Sequence, residues 1–125
     1  MFRVAVRRDF IACHFLIGGE WGAENKPHSH HYLLELELAG ASLDQHGYLT
    51  DIVEIEAAMD KQISRYREQT LNDMEEFSGL NPSLERFCCI LGKRISDSIH
   101  VQGIRKVTVR LWENENAWAS FEMER

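Results

Sequence analysis

The sequence lacks the features of a disulfide-stabilised, secreted or membrane protein. It has only three cysteines in 125 residues, and two of them, Cys88 and Cys89, are adjacent, so we expect core residues rather than a disulfide framework. No apolar run approaches the roughly 20 residues of a membrane span. The alternating N-terminus, residues 1–8, has no apolar block like that of a signal peptide. We therefore expect a cytoplasmic protein without membrane association.

Basic residues are also in short supply. The chain has 14 Lys and Arg against 20 Asp and Glu, which gives a net charge of −6 and argues against nucleic acid as a main partner. A phosphorylated substrate would have to be met by a local basic cluster. With 44% hydrophobic residues, the composition is that of a soluble globular protein, and the length fits one domain, residues 1–125.

Periodic apolar residues predict four strands and two helices. Residues 2–14, 28–39, 107–111 and 117–123 alternate between apolar and other residues, as strands do. In Ile52–Tyr66, and again from Leu84 to Ile95, apolar residues recur at three- and four-residue steps, as in amphipathic helices. Asp51 is expected to cap the first helix. The order β-β-α-α-β-β predicts an α+β domain, with an antiparallel four-stranded sheet and both helices on one face.

Three histidines fall at strand ends with matching parity. His28 and His30 begin the second strand on the face that continues with Tyr32, while His14 ends the first strand on its apolar face. Antiparallel pairing of these strands would bring the three rings to one end of the sheet. Three neutral imidazoles with an open fourth position make a catalytic zinc site. Ordinary polar histidines near strand ends would show the same spacing.

Several short motifs follow one another along nearly the whole chain. They are Ala12-Cys13-His14, His28-Ser29-His30-His31-Tyr32, Gly47-Tyr48-Leu49-Thr50-Asp51, Leu71-Asn72, Asn81-Pro82-Ser83-Leu84-Glu85 and Trp112-Glu113. With these motifs in this order, the chain resembles the 6-pyruvoyltetrahydropterin synthase / 6-carboxytetrahydropterin synthase family. The resemblance implies the tunnelling fold (T-fold), a zinc ion on the three histidines, a pterin substrate, and a hexamer of two trimers with active sites between subunits.

The departures from the family pattern concern the groups that transfer protons. Glu24 stands four residues before His28, where the family has a cysteine, and Arg67-Glu68 stands where it has an Asp-His pair. One branch of the family carries Glu at the cysteine position and is associated with side-chain cleavage of dihydroneopterin triphosphate. The resemblance therefore makes Glu24 a candidate acid–base residue, and Glu68 a candidate replacement for part of the missing pair. Arg67 could instead bind a triphosphate.

Each candidate also has a plainer interpretation. Glu24 lies in a polar run, and a Glu works as a base near neutral pH only if burial raises its pKa from about 4.3. Glu113 matches the family's pterin anchor but could be a solvated turn residue. Ser83 and Glu85 match pterin-pocket residues, yet these types also suit the start of a helix. Trp21, in the loop of residues 15–27, would be either a loop anchor or a lid beside the metal.

Two functional hypotheses follow. In the first, the protein is a zinc-dependent lyase that acts on 7,8-dihydroneopterin triphosphate or a related pterin. In the second, the same scaffold binds metal and pterin but has lost the chemistry and serves as a binding module. A third possibility is an enzyme for an unrelated small substrate at the open zinc position. The retained histidines and Glu113 favour the first, whereas the changed proton-transfer positions favour the second.

Overall fold

Four strands and two helices follow one another in the order predicted from the sequence. The computed structural model describes all of residues 1–125. Three single-turn 3-10 helices, residues 22–25, 71–73 and 75–77, lie in the connections. The first strand has the predicted bounds, and the second ends one residue later than predicted. The third strand is longer than predicted at both ends, and the fourth is shifted by one residue towards the C-terminus. The elements are β1 (Phe2–His14), β2 (His28–Gly40), α1 (Ile52–Tyr66), α2 (Leu84–Ser98), β3 (Ile104–Trp112) and β4 (Trp118–Glu124).

The sheet is fully antiparallel, in the order β1-β2-β3-β4. Because side chains alternate along a strand, one face of the sheet is apolar and the other is polar. The helices cover the apolar face, where Leu34, Leu36 and Val109 are fully buried. On the opposite face, Arg110 bridges Glu35 and Glu37 at 2.8 and 2.9 Å. The predicted α+β architecture, with both helices on one side, is confirmed.

Each helix begins with a side-chain cap and buries one face of apolar side chains. The Asp51 carboxylate accepts a hydrogen bond from the Val53 amide at 3.0 Å, as predicted. The buried stripe of α1 begins at Ile55 rather than at Ile52, which is 49% exposed because it lies in the first turn, before the helix packs against the core. In α2, burial raises the pKa of the Cys88 thiol to about 12, which confirms a core role for this cysteine.

Glu76 joins the 67–83 connection to both helices. Its carboxylate accepts two hydrogen bonds from Arg65 and one from the Tyr66 hydroxyl, each at 2.8 Å. Arg94 of α2 is also within ion-pair distance, at 3.3 Å. The Arg65 hydrogen bonds lower the pKa of Glu76 to about 2 from an ordinary 4.5. These contacts hold the connection between α1 and α2 against both helices.

The Glu76 contact predicts a specific acid sensitivity. Its folded-state pKa is depressed, so its contribution to stability is present above about pH 4.5 and is lost as the pH falls towards 2. Because Arg65 is partly exposed and its charge is screened by solvent, we expect Glu76 to contribute on the order of 2 kcal/mol to the free energy of unfolding. Glu76→Gln should lower the free energy of unfolding at pH 7 and flatten its dependence on pH below 4.5. Urea unfolding at several pH values tests this, with Glu75→Gln, an exposed neighbour, as the control. Equal pH profiles for wild type and Glu76→Gln would contradict the prediction.

Candidate metal and substrate site

The register between β1 and β2 brings His14, His28 and His30 together. His14 lies directly opposite His28 in the ladder, and His30 lies opposite Ala12. The three ring centroids are 4.6 to 5.0 Å apart. One nitrogen of each ring lies within 4.8 Å of the other two. The predicted convergence of three imidazoles at one end of the sheet is therefore confirmed.

Backbone carbonyls orient two of the three rings. His14 Nδ1 lies 2.8 Å from the carbonyl oxygen of Pro82, and His28 Nδ1 lies 2.8 Å from that of Lys26. Because a carbonyl oxygen only accepts, Nδ1 carries a proton in both rings, and in the neutral form of each ring Nε2 is the nitrogen with the free lone pair. Burial lowers the pKa of His14, which favours the neutral form that binds metals.

The remaining ring nitrogens fit a metal ion. Nε2 of His28 and Nε2 of His30 are buried and have no hydrogen-bond partner. A buried polar atom without a partner costs roughly 1–3 kcal/mol, so two at one place call for a ligand. Neutral, converging imidazoles are the donors that divalent transition metals prefer. His14, His28 and His30 can thus hold such an ion and leave a coordination position open.

A cavity of about 240 Å³ opens beside the histidines and gathers most of the other predicted residues. The predicted acid–base residue Glu24 and all three predicted substrate-binding residues line it. His28 contacts the other two rings but does not line this cavity. The lining residues are His14, Leu16, Trp21, Glu24, His30, Asn81, Ser83, Leu84, Glu85 and Glu113.

Glu113 is the carboxylate nearest to the histidines. One of its oxygens lies 4.0 Å from His30 Nε2, and its side chain is only 29% exposed. The residue directly follows β3, and its amide donates to the Ala117 carbonyl at 3.2 Å across the β3–β4 turn. Glu113 is therefore a partly shielded cavity residue rather than a fully solvated turn residue.

Ser83 and Glu85 have the predicted places at the start of α2, and both also line the cavity. The Ser83 hydroxyl oxygen accepts a hydrogen bond from the Arg86 amide at 3.1 Å, so this serine caps α2. Its hydroxyl hydrogen remains free to donate into the cavity that Ser83 lines. Glu85 lies in the first turn of α2, where a negative charge is favoured, and lines the same cavity.

Glu68 and Arg67 lie elsewhere in the subunit. The Glu68 amide donates to the Ile11 carbonyl at 2.6 Å, which places this segment along the outer edge of β1. Both residues line a separate cavity with Asp9 and His31. Glu68 is also the one non-glycine residue with a positive φ, +59°, a conformation that costs energy for a residue with a Cβ. The structure does not bring Glu68 to the histidine cavity of its own chain.

Glu24 lies at the rim of the cavity, in the single 3-10 turn Gly22–Asn25. Its backbone carbonyl accepts from the Leu16 amide at 2.9 Å, which ties this turn to the residues that follow β1. The side chain is exposed in the single subunit. Burial of this carboxylate would have to come from a bound substrate or from a neighbouring subunit.

Two asparagines hold the residues that follow His14. In the sequence they stood out only as parts of the family motifs, without an assigned role. Asn72 accepts from the Phe15 amide at 2.9 Å and donates to the Phe15 carbonyl at 2.8 Å. Asn81 accepts from the Ile17 amide at 2.9 Å and lines the cavity. Their motifs, Leu71-Asn72 and Asn81-Pro82, were visible in the sequence, but the partners are 57 and 64 residues away along the chain.

The fold and the site together define a class: a tunnelling-fold subunit with a three-histidine candidate metal centre at one end of its sheet. The family model for 6-pyruvoyl tetrahydropterin synthase matches residues 3–124. The chain belongs to this family. A search of curated proteins found no significant match. None of the helices is long and apolar enough to cross a membrane.

Solved structures share this fold at low sequence identity. The 6-pyruvoyl tetrahydropterin synthase of Caenorhabditis elegans is 18% identical, with a TM-score of 0.80 over 99% of this chain and 98% of that one. The Plasmodium vivax enzyme is 13% identical, with a TM-score of 0.83 over the same shares, in a variant whose catalytic glutamate is replaced by alanine. A Burkholderia dihydroneopterin aldolase bound to guanine is 10% identical, with a TM-score of 0.51 over 99% and 89%.

Proposed function

We propose that the protein is a zinc-dependent lyase that acts on 7,8-dihydroneopterin triphosphate or a related pterin. One observation carries the proposal: two members of the histidine cluster, His14 and His30, line a single cavity together with Glu24 and Glu113. A metal site, a candidate proton carrier and a carboxylate for the ring are the parts that such a reaction needs. Family membership adds independent support.

Zinc is the metal that best suits this donor set. Three imidazoles with one open position are the ligands of a catalytic zinc site, and His14, His28 and His30 would hold the ion. When bound, zinc supplies a Lewis acid that polarises a side-chain oxygen of the substrate and acidifies the neighbouring C–H or O–H bond. The Pro82 and Lys26 carbonyls keep two of the ligand rings oriented for this task.

Glu113 would recognise the pterin ring. The ring presents an N–H and a 2-amino group side by side, and one carboxylate accepts from both in a bidentate pair. Guanine carries the same amino-pyrimidinone edge, and the Burkholderia aldolase of this fold is bound to guanine. Ser83 and Glu85, on the cavity wall near the start of α2, would add contacts to the bound ring.

Glu24 would move the proton. Side-chain cleavage requires that a base remove a proton from a side-chain hydroxyl and that an acid return one to the carbon left on the ring. Glu24 lines the cavity, and a single carboxyl group can perform both steps in sequence. The Plasmodium vivax enzyme also has a glutamate described as a catalytic residue. An internal redox shift of the side chain would instead need a base that removes a proton from a side-chain carbon, and Glu24 would serve there as well.

The assembly would be a homohexamer made of two trimers. The outer strands β1 and β4 end the sheet on either side, and exposed sheet edges favour pairing with another chain. In such an assembly, Glu68 or Arg67 of one subunit could reach the cavity of another, although neither reaches its own. Light scattering of the purified protein tests this, and a monomer mass would contradict it.

A second candidate function is a binding module that keeps metal and pterin but performs no reaction. The observation that favours it is the position of Glu68 away from the cavity of its own chain, so that Glu24 is the only one of the two predicted acid–base residues there. Such a protein would bind a pterin without forming product.

Incubation of the zinc-loaded protein with dihydroneopterin triphosphate, with products resolved by mass, separates these functions. We expect a pterin that has lost triphosphate or part of its side chain. Tight pterin binding without turnover would support the binding module instead. Absence of both binding and turnover would overturn the pterin assignment and leave only the metal site.

Replacement of Glu113 by alanine tests the ring anchor. We expect pterin binding to weaken by roughly 10- to 100-fold, because hydrogen bonds to a charged group contribute about 1.5–3 kcal/mol. Zinc content should stay unchanged, since the three histidines remain. Glu54→Ala, which replaces an exposed glutamate of α1 that lines neither this cavity nor the neighbouring one shared by His30 and Glu113, is the control. Calorimetric titration with 7,8-dihydroneopterin measures the effect, and equal affinity of Glu113→Ala and wild type would refute the role.

A further inference from the structure

Trp21 occupies an unusual place for a large apolar side chain. It lies in an irregular loop, is 45% exposed, and lines the cavity beside the histidines. A loop anchor would bury its ring in the core, as Phe77 does. The other two tryptophans, Trp112 and Trp118, pack against each other at 6.1 Å. A ring exposed on the cavity wall does not fit a loop anchor, and its place beside the histidines agrees with the alternative of an aromatic residue beside the metal.

The ring is held in place because residue 19 has no side chain. A Cβ at Gly19 would come within 2.6 Å of the Trp21 ring and within 2.9 Å of two further ring atoms. The indole therefore lies against the backbone at Gly19, and any larger residue there would displace it. One side of the ring is supported by the loop, so its exposed surface is on the side away from Gly19.

Asn25 fixes the backbone that carries the ring. Its side-chain oxygen accepts from the Trp21 amide at 2.6 Å. Its side-chain nitrogen donates to the carbonyls of Leu16 and Gly19 at 3.0 Å each. One asparagine thus ties together both ends of the loop and the residue under the indole. A rigid, half-exposed aromatic surface costs little entropy when a ligand covers it.

We infer that Trp21 is an aromatic platform on which the flat ring of the substrate stacks. The inference rests on the proposed function, and it adds a residue that determines ring specificity. Glu113 lines the same cavity and would hold the amino edge of the ring, whereas Trp21 would cover its face. Two contacts of this kind select a flat heteroaromatic ring with a donor edge over a sugar or an aliphatic substrate.

Calorimetric titration of the zinc-loaded protein with 7,8-dihydroneopterin tests the platform. Loss of base–aromatic stacking usually weakens binding by roughly 5- to 100-fold, and we expect Trp21→Ala to fall in this range. Trp21→Phe, which keeps an aromatic face, should restore most of the affinity. Trp118→Ala is the matched control, because Trp118 is similarly exposed, at 54%, and lies outside the cavity.

Gly19→Ala provides a second variant that keeps every cavity side chain. Its new methyl group should displace the indole, shift the tryptophan fluorescence and weaken binding. Wild-type affinity in Trp21→Ala, or in Gly19→Ala with a shifted fluorescence, would overturn the platform. If those variants bind like the wild type but Glu113→Ala binds more weakly, the proposed function stands and only the platform role of Trp21 is lost. If the wild-type protein binds no pterin, the platform and the pterin assignment fail together.

Discussion

Replacement of His28 by alanine is expected to remove the bound metal and to lower turnover by at least about a thousandfold. The remaining imidazoles of His14 and His30 would form an incomplete site, and two protein ligands hold zinc far less tightly than three. The fold should survive, because His28 is only partly buried and begins β2 rather than filling the core.

His28 is a cleaner choice for this experiment than His14. His14 is 3% exposed and its ring contacts the Pro82 carbonyl, so its loss would disturb the connection that carries Asn81 as well as the metal. The measurements are zinc per subunit by mass spectrometry, thermal unfolding, and product formation from dihydroneopterin triphosphate. His46→Ala removes an exposed histidine from the turn before α1 and serves as the control. Full zinc occupancy in His28→Ala would contradict the three-histidine site.

Replacement of Glu24 by glutamine is expected to reduce kcat by roughly 10²- to 10⁴-fold, the usual contribution of general acid–base catalysis. Glutamine has the same shape but cannot accept and return a proton, so the cavity should remain intact. Pterin affinity and zinc content should therefore change little. This separation of kcat from binding distinguishes proton transfer from a merely structural role.

Glu20→Gln is the matched control for Glu24→Gln. Glu20 is an exposed glutamate of the same loop and does not line the cavity. Both variants should unfold at the same temperature as the wild type. Single-turnover product formation, resolved by mass, gives the rate. If Glu24→Gln turns over at the wild-type rate, the proton carrier must be another group, and a Glu68 supplied by a second subunit becomes the next residue to test.

The sequence by itself determined the elements and their faces. Strand alternation placed His14, His28 and His30 on the face that carries the core, because side chains on a strand alternate whatever the partner strand is. The caps at Asp51 and Ser83 and the buried stripes of the helices were also predictable, since they depend on neighbours within four residues. The family motifs added Glu24, Ser83, Glu85 and Glu113, all of which line the cavity.

Only the tertiary structure decided how these residues meet. The alignment of His14 with His28, the orientation of the His14 ring by Pro82 and the 4.0 Å approach of Glu113 to His30 depend on contacts between distant segments. The position of Glu68 depends on such contacts as well, because its amide binds the edge of β1 and its side chain therefore lies away from the cavity. Local patterns determine to which face of a strand or helix a side chain points. The packing of one segment on another determines which side chains become neighbours, and the periodicity of the sequence carries no information about these long-range pairs.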